Sequence, residues 1–153
     1  MEFLDDFSTR WLQAWNSHST EQVLNLLHPD ITWDDRVFWP DVIHGIDGMP
    51  AYVDKIWEAM PDVAFDEIER FSSADHSRGI VLFRQYGHGP AKLNPEAAYD
   101  SHGCDIFLAF ADAKLLNYKA AYDISDMLIQ LGALPERGNK LGGAYLMSLR
   151  GRS

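Results

Sequence analysis

The sequence predicts an α+β fold in which a curved antiparallel sheet packs against three N-terminal helices. The chain has 153 residues, which is the length of one domain. Apolar residues recur at helical spacing through much of the first third of the chain, whereas they alternate at strand spacing after Pro61. Helices that come mostly first, followed by strands that can pair in sequence, are typical of this fold class.

Three helices and one strand are predicted before Pro61. The first helix covers residues 3–17, where aromatic side chains recur every four residues from Phe3 to Trp15. Ser19 begins a capping box that opens a short second helix. The second helix ends at Leu27. A strand over Ile31–Phe38 follows, and then a third helix from Asp47 to Met60.

Four strands and a short helix are predicted after Pro61. Their ranges are 63–71, Gly79–His88, Tyr99–Ala111, Leu115–Asp123 and Ile124–Leu131. A slip in the apolar alternation between Phe65 and Ile68 predicts a bulge in the first of these strands. In the next strand, Phe83 and Gln85 share one face, while Arg84 and Tyr86 share the other.

Composition excludes several function classes. A net charge of -10 repels phosphate backbones, so no nucleic-acid partner is expected. The single Cys104 excludes an intrachain disulfide and a cysteine-rich metal site. There is no apolar run of membrane-spanning length and no basic, apolar leader, so no membrane association and a cytoplasmic location are expected.

The C-terminal segment differs from the rest of the chain. Residues 135–153 are rich in glycine and carry a net charge of +3, whereas the body is acidic. We therefore divide the chain into a domain over residues 1–134 and a basic tail over residues 135–153. The apolar side chains of the tail favour packing on a partner subunit, its charge favours packing on the acidic body, and disorder is the third alternative.

Several local strings, in this order of elements, resemble one known family. They are Trp15-Asn16, Pro29-Asp30-Ile31-Thr32-Trp33, His44-Gly45-Ile46-Asp47-Gly48, Pro61-Asp62, and Tyr122-Asp123 followed by Gln130-Leu131-Gly132. Over about residues 3–134 the chain resembles the SnoaL-like branch of the nuclear transport factor 2-like superfamily. The resemblance implies a cone with an apolar pocket, no cofactor, and a homodimer formed through the exposed sheet face.

The resemblance also implies a catalytic residue. In SnoaL-like cyclases the aspartate that ends the last strand is the acid/base, and the matching residue here is Asp123. The alternative is that Asp123 only caps the helix that follows it. His102, on the neighbouring strand, is the preferred partner of Asp123, and His88 is the second choice. Either histidine could instead be structural.

Other charged residues are candidates for the same pocket. In ketosteroid isomerase-like relatives a strand-one aspartate is the base, which points to Asp35 or Asp34. Because successive strand residues face opposite sides, only one of the two can point inward. Arg84 would hold an oxyanion if it pointed inward, and with two aspartates it would resemble the arrangement in epoxide hydrolases. Solvent exposure of these side chains is the alternative.

Aromatic side chains are candidates for lining the pocket. We predict substrate contacts for Trp15, Trp33, Trp39, Tyr86 and Phe107, with the alternative that most of them belong to the core. No histidine spacing or glycine-rich loop indicates a metal or a nucleotide.

The function expected from the resemblance is acid/base catalysis. The chain is predicted to be a cofactor-independent isomerase, cyclase or dehydratase acting on an apolar, carbonyl-containing small molecule of polyketide or terpenoid type. An epoxide hydrolase of the same fold is one alternative. A non-catalytic module that binds a small molecule is the other, because a fold does not determine a function.

Overall fold

A computed structural model describes residues 3–136 together with residues 143, 146, 147 and 149. Most of the predicted tail, residues 135–153, lies outside the described residues. Within the described part, the elements are α1 (Phe3–Asn16), α2 (Thr20–Leu24), β1 (Leu27–Asp34), β2 (Ile43–His44), α3 (Met49–Ala59), β3 (Ala64–Ser72), β4 (Gly79–His88), β5 (Ala98–Ala111), β6 (Lys114–Tyr122) and α4 (Ile124–Gln130). A short 3-10 turn, Ile46–Gly48, precedes α3.

The strands of the described residues form one sheet in the order β2-β1-β6-β5-β4-β3. The predicted α+β class is confirmed, and four pairings are antiparallel. The fifth pairing, between β1 and β6, is parallel, so the sheet is mixed. The chain leaves β1 through α3, enters the sheet again at its far edge, and returns strand by strand until β6 lies beside β1.

Helix α1 covers the inner face of the sheet with the aromatic side chains whose spacing predicted it. Phe7 and Trp11 are fully buried, and their rings lie 5.2 and 5.3 Å from that of Phe107 on β5. Burying such rings is worth about 2–3 kcal/mol each, which anchors a helix whose intrinsic stability is small. The helix thus fixes the wall against which the site is built.

The boundaries of β1 differ from the predicted range Ile31–Phe38. The strand begins four residues earlier, because Leu27 already pairs with Leu115 of β6. Pro29 is tolerated where the β1–β6 register shifts. The strand ends at Asp34, since the next residues form a turn in which the backbone N–H of Trp39 donates to the Asp35 carbonyl at 2.8 Å.

The strands after α3 follow the predicted ranges closely. The bulge predicted in β3 is confirmed by a register shift between Glu67 and Glu69. Along β4 and β5, alternate residues are buried, as the apolar pattern of β4 predicts. Gly103 faces inward on β5, where an added Cβ would lie 2.6 Å from the Phe83 ring and 2.8 Å from the Cβ of Tyr122. This glycine therefore makes room for two aromatic side chains of the site.

No helix of the described residues is long and apolar enough to cross a bilayer.

Candidate active site

A cavity lies between α1, α3 and the inner face of the sheet. Its volume is about 40 Å³, which is room for a small chemical group. Its walls are aromatic and aliphatic, with two carboxyl groups and one amide. The lining residues are Leu12, Trp15, Asp35, Tyr52, Ile56, Met60, Phe65, Phe83, Gln85, Asp105, Tyr118 and Tyr122.

Asp35 supplies the first carboxyl group. It follows β1 directly, and strand alternation gives it the inward direction of Ile31 and Trp33. Its Oδ2 accepts hydrogen bonds from the hydroxyl groups of Tyr52, at 2.5 Å, and Tyr122, at 3.0 Å. Its Oδ1 is buried and has no hydrogen-bond partner among the described residues. Burial raises the pKa of Asp35, and hydrogen bonds from Tyr52, Tyr122 and the backbone N–H of Phe38 oppose that rise.

Asp105 supplies the second carboxyl group, from the middle of β5. It is 8% exposed, and the indole Nε1–H of Trp11 donates to its Oδ2 at 2.8 Å. The hydroxyl of Tyr118, on the neighbouring strand, donates to Oδ1 at 2.5 Å. Burial raises the pKa of Asp105 to about 6, and the negative charge of Asp35 adds to the rise.

The two carboxyl groups influence each other inside an apolar enclosure. Among the described residues that line the cavity, none is a lysine, arginine or histidine. Neither carboxyl therefore has a cationic partner in the cavity wall, and ionising both is costly. Each carboxyl therefore keeps its proton to a higher pH than an exposed aspartate does. The arrangement can both accept and donate a proton.

Comparison with models of protein families identifies the family of this chain. Residues 8–118 match the model of the SnoaL-like domain. The chain belongs to the SnoaL-like domain family. No protein of curated function matches the sequence.

Solved structures share the fold of this SnoaL-like domain at low sequence identity. One is a putative polyketide cyclase from Pseudomonas putida, with 18% identity, a TM-score of 0.69, and coverage of 81% of this chain and 94% of that one. AclR, a putative hydroxylase from Streptomyces galilaeus, has 17% identity, a TM-score of 0.69, and coverage of 94% and 91%. The epoxide hydrolase/cyclase-like enzyme SalBIII, described in pyran ring formation in polyether salinomycin, has 15% identity, a TM-score of 0.66, and coverage of 80% and 92%.

In this SnoaL-like domain, Asp123 does not lie in the pocket, where the family resemblance placed it. Its side chain is exposed and caps α4, where it accepts a hydrogen bond from the backbone N–H of Asp126 at 2.9 Å. The prediction of a buried acid at this position is corrected, because the chain has already left β6 at Tyr122. The preceding Tyr122 reaches the cavity instead, through its hydroxyl on Asp35.

His102 and His88 also lie away from the cavity. His102 is exposed on the outer face of β5, since it differs in strand parity from Asp105. His88 is half exposed at the end of β4, and its Nδ1 lies 2.6 Å from the Oδ2 of Asp62. Both predicted roles beside a catalytic carboxylate are therefore corrected to surface positions.

The choice between the two strand-one aspartates is resolved by their direction. Asp34 faces outward, where its Oδ1 lies 2.8 Å from Nε of Arg36 and its Oδ2 lies 3.8 Å from Nζ of Lys119. The Arg36 hydrogen bond lowers the pKa of Asp34. Asp34 is therefore a surface ion-pair residue, while Asp35 is the carboxyl group of the cavity.

The predicted pocket positions of Arg84 and Tyr86 are both corrected, because the two side chains face outward from β4. The Arg84 guanidinium binds the Asp100 carboxylate at 2.8 and 2.9 Å and lies 4.3 Å from the centre of the Tyr86 ring. Arg84 hence places no cation between the cavity carboxyls. The two-aspartate and arginine arrangement of an epoxide hydrolase is not formed by this side chain.

The predicted aromatic lining residues divide into two groups. Trp15 lines the cavity. Trp33 and Phe107 are fully buried in the core behind the cavity, where Trp33 stacks on Tyr118 at 3.7 Å. Trp39 is half-buried and packs on the outer side of Tyr52 at 5.7 Å. These three residues support the cavity wall without lining the cavity.

Sequence reasoning missed Asp105 as a site residue, although the sequence carries a signal for it. Asp105 has the same strand parity as Tyr99 and Phe107, the two largest buried side chains of β5. An acidic residue at an inward position between apolar ones indicates a buried carboxyl group. Gln85, which was predicted to share a face of β4 with Phe83, lines the cavity, where its Nε2 contacts Sδ of Met127 at 3.3 Å.

Proposed function

We propose that the chain is an acid/base enzyme that isomerises, cyclises or dehydrates a small apolar molecule bearing a carbonyl group. The observation that supports this most is the presence of two buried carboxyl groups, Asp35 and Asp105, in one largely apolar cavity. Raised pKa values suit carboxyl groups for proton transfer near neutral pH. The names of the similar structures, which include a cyclase and a cyclase-like enzyme, agree with this class.

Asp35 is the proposed base. Its Oδ1 accepts no hydrogen bond from a side chain among the described residues, whereas its Oδ2 is held by two tyrosine hydroxyl groups that fix the carboxylate in place. In the first step Oδ1 takes a proton from the carbon next to the substrate carbonyl. The electrons of the C–H bond form the carbon–carbon double bond of an enolate, and the negative charge moves to the carbonyl oxygen.

Asp105 is the proposed acid. Its raised pKa keeps part of this carboxyl protonated near neutral pH, so it can donate to the developing oxyanion. Trp11 and Tyr118 hold the group from two sides and limit its rotation. Return of the proton from Asp35 to a different carbon completes an isomerisation. In a ring closure the enolate carbon instead attacks a second carbonyl, a carbon–carbon bond forms, and the new alkoxide takes the proton that Asp35 carries.

The test uses a panel of β,γ-unsaturated cyclic ketones, whose conversion to conjugated enones is followed by ultraviolet absorbance. We expect Asp35→Asn to lower kcat by about 10²–10⁴-fold, which is the usual contribution of a positioned base. Asp34→Asn and Asp123→Asn are matched controls, because both residues are carboxylates outside the cavity, and both variants should keep the wild-type rate. Absence of turnover across the panel, or full activity of Asp35→Asn, contradicts the proposal.

A second candidate is a non-catalytic module that binds a small molecule. It is favoured by the small volume of the cavity and by the capping role of Asp123. Mass spectrometry of a panel compound recovered after incubation in D₂O separates the two functions. A catalyst incorporates deuterium next to the carbonyl, whereas a binding module returns the compound unlabelled.

A further inference from the structure

The cavity holds two buried carboxyl groups inside walls that are largely aromatic. Six of its lining side chains are aromatic, namely Trp15, Tyr52, Phe65, Phe83, Tyr118 and Tyr122. Aromatic faces attract cations, and the attraction is stronger where water is excluded. Since no described lining residue is a lysine, arginine or histidine, the protein supplies no cation there to balance Asp35 and Asp105.

One oxygen of the buried Asp35 carboxyl also lacks a hydrogen-bond partner among the described residues. Asp35 is 2% exposed, and its Oδ1 has no partner among the described residues, while its Oδ2 has two. Buried polar atoms without a partner are rare, and each one calls for an explanation. A donor carried by a ligand would satisfy this oxygen, and a charged N–H group would do so most strongly.

We propose that the cavity binds a small alkylammonium ion that carries at least one N–H group. The N–H donates to Oδ1 of Asp35, and the alkyl groups lie against the aromatic rings. The small volume selects a compact head group. This inference goes beyond the proposed function, since it needs the two carboxyl groups but no chemical step, and the ion would compete with a ketone for Asp35.

Binding of such an ion is expected to depend on pH. The titratable groups that face the cavity are Asp35 after β1, Tyr52 on α3, Asp105 on β5, and Tyr118 and Tyr122 on β6. A cation favours the ionised carboxyl groups, so it should bind more tightly as they lose their protons. For the proton released by Asp105, whose pKa burial raises to about 6, the affinity rises about tenfold between pH 5 and pH 7.

Isothermal titration calorimetry with three compounds tests the proposal. tert-Butylammonium chloride has both the charge and the N–H groups, tetramethylammonium chloride has the charge alone, and tert-butanol has a similar shape without charge. We expect tert-butylammonium to bind tightest and tert-butanol weakest. Asp35→Asn should weaken tert-butylammonium about tenfold or more, as expected for loss of a charged hydrogen bond, whereas Asp34→Asn should not change it.

Three results would overturn the inference. They are equal binding of tert-butanol and tert-butylammonium, equal affinity at pH 5 and pH 7, and no binding of either cation. The pH series uses the wild-type protein, so it decides the question even if Asp35→Asn does not fold. Ketone turnover that depends on Asp35 without ammonium binding rejects this inference alone, and ammonium binding without turnover rejects the enzymatic proposal alone.

Discussion

At the scale of one residue, Asp105 should make the free energy of unfolding depend on pH. Its pKa rises from 3.8 to about 6 on folding, mainly through burial, so the native state binds the proton more tightly than the unfolded chain does. Its contribution to stability is therefore present in full below pH 3.8 and is lost as the pH rises through about 6.

The comparison of wild type with Asp105→Asn isolates this contribution. The free energy of unfolding of the wild type, relative to that of the variant, should fall by roughly 2 kcal/mol between pH 4 and pH 7. Asp34→Asn should behave in the opposite way, because the Arg36 hydrogen bond lowers the pKa of Asp34 and its contribution is lost in acid. Urea denaturation at each pH measures both differences, and a common sign for the two would refute the assignment.

At the scale of the element, Asp123 is the N-cap of helix α4. Its carboxylate accepts the N–H of Asp126 at the first turn of the helix. Asp123→Ala should lower the free energy of unfolding by about 1 kcal/mol, whereas Asp123→Asn keeps an oxygen acceptor and should cost little. Urea denaturation measures both variants. If Asp123→Ala instead abolished ketone turnover while leaving stability unchanged, the residue would be catalytic.

The elements themselves could be predicted well from the sequence because their signals are local. The four-residue spacing from Phe3 to Trp15 predicted α1, and the slip after Phe65 located the β3 bulge. The site was harder to predict, because it depends on which residues face inward together. Asp35 and Asp105 are 70 positions apart in the sequence. The parallel pairing of β1 with β6, which no local pattern shows, brings β1 close to β5, so that the two side chains lie on the same face of the sheet.

At the scale of the whole molecule, the outer face of the sheet is the predicted dimer surface. Apolar side chains of β3, β4 and β5 point away from the helices and form an exposed strip. Its members are Phe71, which is 50% exposed, Ile80, which is 36% exposed, Leu108, which is 38% exposed, and the half-buried Ile106. The register pairs Phe71 with Ile80 and Ile80 with Ile106, so these side chains are continuous across three strands. An apolar patch of this kind is typical of a subunit interface.

We therefore propose a homodimer through this strip, with sedimentation velocity as the test. The wild type should sediment with the mass of two chains, and Ile80→Glu should give the mass of one, because a charge buried without a partner disfavours association. Leu93→Glu is the matched control, since Leu93 is 46% exposed in the loop between β4 and β5 and lies outside the strip. A wild-type monomer, or a dimer that survives Ile80→Glu, contradicts the assignment. Because the cavity opens on the opposite face of the sheet, Ile80→Glu should keep the Asp35-dependent turnover even as a monomer.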